Sequence, residues 1–287
     1  MTYAELLKRI SIKLQRAGVP NFEQEAWWIL QFAAGQKNGK LAAELSLPAP
    51  NIISSRVEEV IAQRLTGRPL AYITGQTEFY GLKVKVNPSV LIPRPETETL
   101  VEKVLEQLIS EKGADYPFMI LDVGSGSGCI ALALLSQLPQ ATAIATDISK
   151  EALKVAWENA KELGLGERIG FFQGNLFAPM VRKEKFDLII SNPPYIYPLE
   201  IASLGRSVRD FEPRIAIESP QGGTWFHQQI SQQGGALLRS GGILAFEIGN
   251  RQAGTVSRLI RQTGIYEKPQ VFADLFGFER VVIARMV

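Results

Sequence analysis

The residues best suited to chemistry are five consecutive ones, Ser-Asn-Pro-Pro-Tyr at positions 191–195. Asn192 offers a side-chain oxygen acceptor and an amide donor, and the two prolines restrict the backbone on either side of Pro193. The Asn192 oxygen and the Pro193 carbonyl therefore present two acceptors near one point, with Pro194 and Tyr195 beside them. Such a pair suits a substrate group that carries two N–H donors, either an amide or an exocyclic amine. Asn-Pro by itself is also an ordinary turn signal.

The residues before this motif explain where it would lie in a fold. Positions 186–190 read Phe-Asp-Leu-Ile-Ile, an apolar run of strand length that is rich in β-branched residues. The motif thus follows the carboxyl end of a predicted buried strand. In open parallel sheets this edge is where ligands bind.

A glycine loop forms the second motif. Gly124, Gly126 and Gly128 alternate with Ser125 and Ser127, directly after a predicted strand at 118–123. Glycine permits a tight turn and a close approach of ligand to backbone. The spacing departs from the dinucleotide fingerprint Gly-x-Gly-x-x-Gly/Ala, because the last position is Cys129, and no phosphate-binding Gly-Lys-Ser/Thr follows. The loop indicates a nucleotide-like ligand, although a glycine loop alone has low specificity.

Three further residues extend this candidate site. Asp147 ends the next predicted strand, where an acidic side chain can accept both hydroxyls of a ribose or can cap the following helix. Asn175 and Leu176 follow the third predicted strand, where an adenine ring would lie. Asn175 would reach the adenine amine and Leu176 would pack on the ring, unless Leu176 is simply a core residue.

The elements that must position these residues alternate between strand and helix. Strands are predicted at 118–123, 142–146, 169–173, 187–190, 242–248, 269–273 and 280–284, and helices at 129–138, 150–163, 228–238 and 252–263. This alternation predicts an α/β fold with a doubly wound parallel sheet. Residues 1–66 are predicted to be helical, and residues 71–75 are predicted to pair with a strand near 79–86 as a β-hairpin. Three regions are predicted. They are a helical domain at 1–70, a hairpin and linker at 71–95, and the α/β domain at 96–287.

Composition narrows the function classes. The chain has 287 residues, of which 46% are hydrophobic and 21% charged, and its net charge is +2, so it lacks the overall signature of a polyanion-binding protein. Residues 1–90 are more basic, with 11 Lys and Arg against 7 Asp and Glu.

A single cysteine, Cys129, excludes an internal disulfide and a cysteine metal cluster, and a single histidine, His227, leaves few ligands for a metal site. We expect no metal and a solvated or capping role for His227. With neither a signal peptide nor a membrane-spanning run, we expect a cytoplasmic protein with no membrane partner.

Together these motifs resemble the class I S-adenosylmethionine-dependent methyltransferases. More narrowly, the chain resembles the release-factor glutamine methyltransferases, the PrmC/HemK family, over almost its full length. The stretches that carry the resemblance are 69–75, 91–98, 121–128, 191–195, 209–213, 247–249 and 274–280. Asn-Pro-Pro-Tyr alone also occurs in DNA adenine and some RNA methyltransferases, whereas the run Ile-Pro-Arg-Pro-Glu-Thr-Glu at 92–98 is more specific.

The resemblance implies a seven-stranded sheet whose last strand is antiparallel, and an enzyme that methylates the glutamine of the Gly-Gly-Gln loop in peptide-chain release factors. It implies S-adenosylmethionine as cofactor, S-adenosylhomocysteine as product, and no direct nucleic-acid partner. The implied cofactor-binding residues are Gly124, Ser125, Gly126, Ser127, Gly128, Asp147, Asn175, Leu176 and Asn192. The implied substrate-binding residues are Asn192, Pro193, Pro194 and Tyr195, of which Asn192, Pro193 and Tyr195 are also assigned to catalysis.

Two departures from the family pattern lie at the predicted adenine site. Members commonly carry Asp where this chain has Asn175, and often Trp or Phe where it has Leu176. Alternatives remain at this stage, because the same amide clamp would serve a DNA or RNA exocyclic-amine methyltransferase, and a non-catalytic binder could keep the cofactor fold. The roles of Arg94 and Glu98 stay unassigned.

Overall fold

The computed structural model describes residues 1–36, 38–180 and 185–287. The chain divides into two compact units. The first comprises Met1–Gly75 with Gly205–Phe211, and the second comprises Gln76–Leu204 with Glu212–Val287. In the described part of the chain, no helix has both the length and the apolar character needed to cross a membrane.

The first unit is helical, as the sequence predicts. Its helices are α1 (Tyr3–Arg16), α2 (Phe22–Ala34), α3 (Asn38–Ala43), α4 (Asn51–Leu65), α5 (Leu70–Thr74) and, from far along the chain, α9 (Arg206–Phe211). Helix α1 begins with a capping box, in which Thr2 and Glu5 satisfy each other's backbone N–H groups. Its buried face, with Leu6, Ile10 and Leu14, joins the core of this unit.

The prediction of a strand at 71–75 is wrong. Leu70–Thr74 forms a single helical turn, because Pro69 supplies a fixed φ before its start and Gly75, at φ 74°, ends it in the left-handed region. The hairpin lies one step later, between β1 (Gln76–Phe79) and β2 (Leu82–Lys85). Its two-residue turn places Tyr80 and Gly81 at φ 51° and 72°, the signs that a type I′ turn requires.

The second unit continues from this hairpin with alternating helices and strands. They are α6 (Pro95–Lys112), β3 (Met119–Val123), α7 (Cys129–Gln137), β4 (Thr142–Asp147), α8 (Lys150–Glu162), β5 (Ile169–Gln173), β6 (Phe186–Ser191), α10 (Trp225–Gly234), β7 (Leu238–Glu247), α11 (Ala253–Gln262), β8 (Gln270–Ala273) and β9 (Glu279–Arg285). Short 3-10 turns lie at Gly166–Arg168, Pro198–Ser203, Arg214–Ala216 and Gln221–Gly223.

Among the described residues, seven of these strands form one sheet in the order β5-β4-β3-β6-β7-β9-β8. Strands β3 to β7 pair in parallel, and β9 runs antiparallel to both β7 and β8. The predicted α/β class, the doubly wound sheet and the antiparallel last strand are therefore confirmed. Strand β6 is buried along its whole length, as expected of a continuous apolar run inside a parallel sheet.

Two predicted elements in the second unit have shifted boundaries. Helix α10 begins at Trp225 rather than 228 and ends at Gly234, and β7 begins at Leu238 rather than 242. The earlier start of α10 places His227 in its first turn. His227 is fully buried, its Nε2 lies 2.9 Å from the Glu247 carbonyl oxygen, and its ring packs edge-on against Phe246. The predicted solvated or capping role for His227 is therefore wrong.

Candidate active site

The two sequence motifs meet because the strand order reverses between β3 and β6. From β3 the chain proceeds outward to β4 and β5, and then returns to place β6 on the other side of β3. The carboxyl ends of β3 and β6 are tied together by the Ser191 hydroxyl, which donates to the Val123 carbonyl at 2.6 Å. A crevice at such a reversal is the usual ligand site of a doubly wound sheet.

A cavity of about 370 Å³ lies at this edge, a volume in the range of small-molecule sites. Predicted site residues that line it are Gly124, Ser125, Gly126, Ser127, Asp147, Asn175, Leu176, Asn192, Pro193 and Pro194. Gly128 and Tyr195, which were also predicted, do not line it. The sequence therefore identifies most of one continuous wall, although the role of each residue stays a prediction.

The alternating glycines have a conformational reason. Gly124, Gly126 and Gly128 have φ values of 74°, 55° and 78°, a region that residues with a Cβ rarely adopt. Gly128 is constrained further, because an added Cβ would lie 3.1 Å from the Ala156 Cβ of α8. Thus Gly128 supports the loop from behind while the preceding residues form the cavity wall.

Asp147 joins the loop to the end of β4. One carboxylate oxygen accepts from the Gly126 N–H and the other from the Ser149 N–H, both at 2.9 Å. Burial raises the pKa of Asp147, and the hydrogen bonds from these backbone groups act against that rise. Each carboxylate oxygen keeps further acceptor capacity toward the cavity, so the geometry fits the predicted ribose contact. Asp147 therefore orders the loop and faces the ligand space at once.

Unsatisfied polar atoms also mark the cavity as a polar ligand site. The hydroxyls of Ser125 and Thr146 are buried without a hydrogen-bond partner among the described residues, and both residues line the cavity. Buried polar groups normally find partners, since an unmet donor or acceptor is costly. These hydroxyls, with the exposed backbone of the glycine loop, fit the amino-acid and ribose parts of S-adenosylmethionine.

The residues predicted to contact an adenine ring, Asn175 and Leu176, also line the cavity. Leu176 adopts a left-handed φ of 51°, lines the cavity, and also packs against the core of the second unit. Both functions considered for Leu176, ligand contact and core packing, are therefore compatible with its position. The Asn175 side chain is exposed at the cavity edge.

Asn192 belongs to a hydrogen-bond network that the sequence did not predict. Its Nδ2 donates to the Thr97 hydroxyl at 3.2 Å, and that hydroxyl donates to Glu247 Oε2 at 2.5 Å. The Tyr195 hydroxyl donates to the other Glu247 oxygen at 3.1 Å. Burial and the Glu247 carboxylate raise the pKa of the Tyr195 phenol far above its usual value, so Tyr195 acts as a neutral donor.

The two residues left unassigned, Arg94 and Glu98, have structural partners. Arg94 Nη2 lies 2.6 Å from Oε1 of the buried Glu212 carboxylate, and the Glu212 Oε2 accepts from the Ile92 N–H at 3.4 Å. Glu98 Oε1 accepts from the Tyr80 N–H of the hairpin turn at 2.8 Å. Arg94 also lines the cavity, which makes this ion pair part of its rim.

Several cavity residues were missed from the sequence. They are Ser89, Val90, Thr97, Thr146, Trp225 and Phe226 among others. Thr97 is one of two buried threonines in a helix whose other buried residues are apolar, and Trp225-Phe226 is an aromatic pair after a glycine turn. Neither local pattern states which cavity it would join, because the contacts are made across long chain separations.

Comparisons with known proteins identify the family to which the chain belongs. The family model described as "PrmC N-terminal domain" matches residues 5–75, and the model "Methyltransferase small domain" matches residues 97–204. A release factor glutamine methyltransferase from Moorella thermoacetica is 39% identical over 284 residues, covering 99% of this chain and 98% of that protein. One of the same description from Cereibacter sphaeroides is 37% identical, covering 100% and 99%. The chain belongs to the release factor glutamine methyltransferase family.

Solved structures support the fold at lower identity. A methyltransferase from Pyrococcus furiosus is 18% identical with a TM-score of 0.53, covering 72% of this chain and 90% of that one. The catalytic domain of hMettl16, solved in complex with the MAT2A 3′UTR hairpin 6, is 17% identical with a TM-score of 0.57, covering 80% of each chain. At these identities the likeness concerns the methyltransferase fold alone.

Proposed function

We propose that this chain transfers the methyl group of S-adenosylmethionine to the side-chain amide nitrogen of the glutamine in the Gly-Gly-Gln motif of peptide-chain release factors. The observation that carries the proposal is the position of Asn192. Its amide faces a cavity at the carboxyl edge of the sheet, beside the glycine loop and Asp147. Membership of the release factor glutamine methyltransferase family supports the choice of substrate.

The cofactor would be held by the wall described above. The glycine loop and the Ser125 and Thr146 hydroxyls would meet its amino-acid part, Asp147 its ribose hydroxyls, and Leu176 its adenine ring. When bound, the cofactor supplies an electrophilic methyl group on a sulfonium, whose leaving group is a neutral thioether. Asp147 needs no change of protonation for this role, since hydroxyl groups donate to a carboxylate.

The chemistry of the substrate amide determines what Asn192 and Pro193 must do. An amide nitrogen is a poor nucleophile because its lone pair is delocalised into the carbonyl. Acceptors on both of its hydrogens orient the nitrogen and stabilise the positive charge that develops on it in the transition state. Once the N–C bond has formed, the nitrogen loses one of these hydrogens as a proton to water, which leaves a neutral N-methyl amide. We assign these acceptors to the Asn192 side-chain oxygen and the Pro193 carbonyl. Positioning of the nitrogen within contact distance of the methyl group supplies much of the remaining rate.

The protein substrate would be gripped by the first unit. This assignment rests on the match of residues 5–75 to the PrmC N-terminal domain and on the excess of basic over acidic residues in positions 1–90. The second unit would then receive only the Gly-Gly-Gln loop. We place no role in nucleic-acid or membrane binding on either unit.

The test uses the full chain with S-adenosylmethionine labelled in its methyl group. Three acceptors are offered in parallel: a purified release factor, the same release factor with its Gly-Gly-Gln glutamine replaced by alanine, and duplex DNA. Label in the first acceptor alone supports the proposal. Equal labelling of the alanine variant, or labelling of the DNA alone, would overturn it.

A further inference from the structure

The direction in which the Asn192 carboxamide faces decides whether it can serve as an acceptor. The oxygen and nitrogen of a carboxamide are nearly equal in size, so shape alone does not select between the two orientations. With the oxygen toward the cavity, Asn192 accepts an N–H from the substrate. With the nitrogen toward the cavity, it presents a donor to a donor, and the substrate amide is repelled.

Thr97 is the residue that meets the inner atom of this carboxamide. It lies in the first turns of α6, is 2% exposed, and its hydroxyl oxygen lies 3.2 Å from Asn192 Nδ2. The two residues are 95 positions apart in the chain, so the contact depends on the fold of the second unit. Because Thr97 also lines the cavity, this contact is made at the substrate site itself.

A hydroxyl has one hydrogen, and the surroundings of Thr97 determine where that hydrogen goes. Glu247 Oε2 lies 2.5 Å from the Thr97 oxygen and accepts the hydrogen of the Thr97 hydroxyl. The single Thr97 hydrogen is therefore used in the bond to Glu247, and the lone pairs of the Thr97 oxygen can only accept. The atom of Asn192 that faces Thr97 must then be the donor, Nδ2, which turns Oδ1 away from Thr97.

Glu247 is held in this acceptor role by its other contacts. The side chain is 2% exposed, and its second oxygen accepts from the Tyr195 hydroxyl at 3.1 Å. Burial is the largest effect and raises the pKa of Glu247 overall, whereas the hydrogen bonds from Thr97 and Tyr195 and the nearby Arg280 guanidinium act against that rise. Both Glu247 oxygens face hydroxyl donors, Oε2 that of Thr97 and Oε1 that of Tyr195, so each oxygen is used as an acceptor.

We propose that Thr97 is a positioning residue for methyl transfer, which together with Glu247 selects the orientation of Asn192 that presents Oδ1 to the substrate amide. This inference rests on the proposed function, since it assigns the Asn192 oxygen to the target nitrogen. Tyr195 contributes through the same carboxylate rather than by touching the substrate.

The test compares three variants of the full chain in the release-factor assay. Thr97→Val keeps the shape and removes the hydroxyl, Thr97→Ser keeps the hydroxyl, and Thr99→Val removes a buried hydroxyl from the same helix outside this network. We expect Thr97→Val to lower kcat about tenfold, the scale of one hydrogen bond, with the Kd for S-adenosylhomocysteine unchanged. Thr97→Ser and Thr99→Val should stay within about twofold of wild type. Equal losses in Thr97→Val and Thr99→Val would overturn the proposal.

A double variant isolates the route through Asn192. If Thr97 acts only by orienting that carboxamide, Thr97→Val added to Asn192→Ala causes no further loss of kcat. An additional loss of about tenfold in the Asn192→Ala background would contradict the proposal, because Thr97 would then act on the reaction by itself.

A measurement without substrate separates this inference from the proposed function. In the wild-type protein, one of the two Asn192 side-chain amide protons should exchange slowly with water, observed by NMR and assigned by its loss in Asn192→Ala. Rapid exchange of both protons would overturn the inference even if the release factor is methylated. Failure of the wild-type chain to methylate any release factor would overturn the proposed function. The slowly exchanging Asn192 proton would still report directly on the contact with Thr97. This readout also holds if Thr97→Val does not fold.

Discussion

Asn192 and Asp122 are polar residues at the ends of neighbouring strands, but they differ in burial and in hydrogen bonding. Asn192 lines the cavity and is hydrogen bonded to Thr97 through one side-chain atom. Asp122 is fully buried at the end of β3. One oxygen accepts from the Ala131 N–H at 3.2 Å, and the other has no partner in the part of the chain that the structure describes. The first residue is therefore expected to affect the reaction, and the second to affect stability.

Under the proposed mechanism, replacing Asn192 with alanine removes an acceptor from the transition state and leaves the glycine loop and Asp147 unchanged. We expect kcat for release-factor methylation to fall about 100-fold or more, a cost typical of losing one preorganised polar contact. The Kd for S-adenosylhomocysteine, measured by calorimetry, should change by less than about threefold. A fully active Asn192→Ala enzyme would refute the amide clamp.

The burial of Asp122 leads to a prediction about how stability depends on pH. Burial, chiefly, raises its pKa from 3.8 to about 7, so the folded state favours the protonated form. The stability that Asp122 contributes is fully present below the pKa that it has in the unfolded chain. This stability is lost as the pH rises through the pKa of Asp122 in the folded protein. Asp122→Asn stays neutral and keeps an acceptor for the Ala131 N–H. The free energy of unfolding of this variant, relative to wild type, should therefore increase by roughly 2 kcal/mol between pH 5 and pH 8.

Urea denaturation of the cofactor-free proteins at the two pH values measures this difference. All other titrating groups are shared by the two proteins and cancel. A difference that stays constant with pH would show that Asp122 titrates normally despite its burial.

The glycine loop between β3 and α7 is an element whose backbone requires glycine. We expect Gly128→Ala to lower the free energy of unfolding by about 1–3 kcal/mol, because its φ of 78° strains any Cβ and the new methyl group would crowd Ala156. Gly254→Ala is the matched control, since Gly254 lies in helix α11 and, apart from its chain neighbours and that helix's own backbone, no described atom lies within 4 Å of an added Cβ. It should be neutral or stabilising, as alanine is the better helix former. Equal effects in thermal or chemical unfolding would contradict this explanation.

The elements of the sheet were predictable because each one carries its own local signal. Apolar runs of strand length alternate with amphipathic helices, and the order of these signals specifies an α/β sheet. The segment 71–75 misled the prediction because Tyr72, Ile73 and Thr74 favour strands individually, whereas Pro69 and Gly75 together define one helical turn.

The site was predictable only in part, for a related physical reason. The glycine loop and Asn192 follow strand ends, and strand ends of a parallel sheet share one edge. Thr97 and Glu247 are 150 positions apart, and their contact arises only when α6 packs beside the end of β7. His227 was misjudged because its burial depends on where α10 begins, which neighbouring glycines obscured.

At the scale of the whole molecule, the two units have separate cores. The core of the first unit is built from α1, α2 and α4 with residues such as Leu6 and Val57, and a core of the second from the sheet and its flanking helices with residues such as Phe186 and Ile260. Every residue that lines the cavity belongs to the second unit. Cofactor binding should therefore stabilise the second unit specifically.

Hydrogen exchange followed by mass spectrometry tests this assignment. Saturating S-adenosylhomocysteine should slow exchange in peptides covering the glycine loop and the end of β4, because ligand binding opposes local opening. Peptides from α1 and α2 should be unaffected. Protection concentrated in α1 and α2 would show that the cofactor binds to the first unit, which contradicts this assignment.

The most direct measurement of the central claim maps the methyl group on a release factor. The unmethylated release factor is incubated with the full chain and S-adenosylmethionine, digested, and sequenced by tandem mass spectrometry. We expect one added methyl group on the side-chain nitrogen of the Gly-Gly-Gln glutamine, stable to mild base as an amide is, and its near absence with the Asn192→Ala enzyme. A methyl group on another residue, or no methylation of the release factor by the wild-type enzyme, would contradict it.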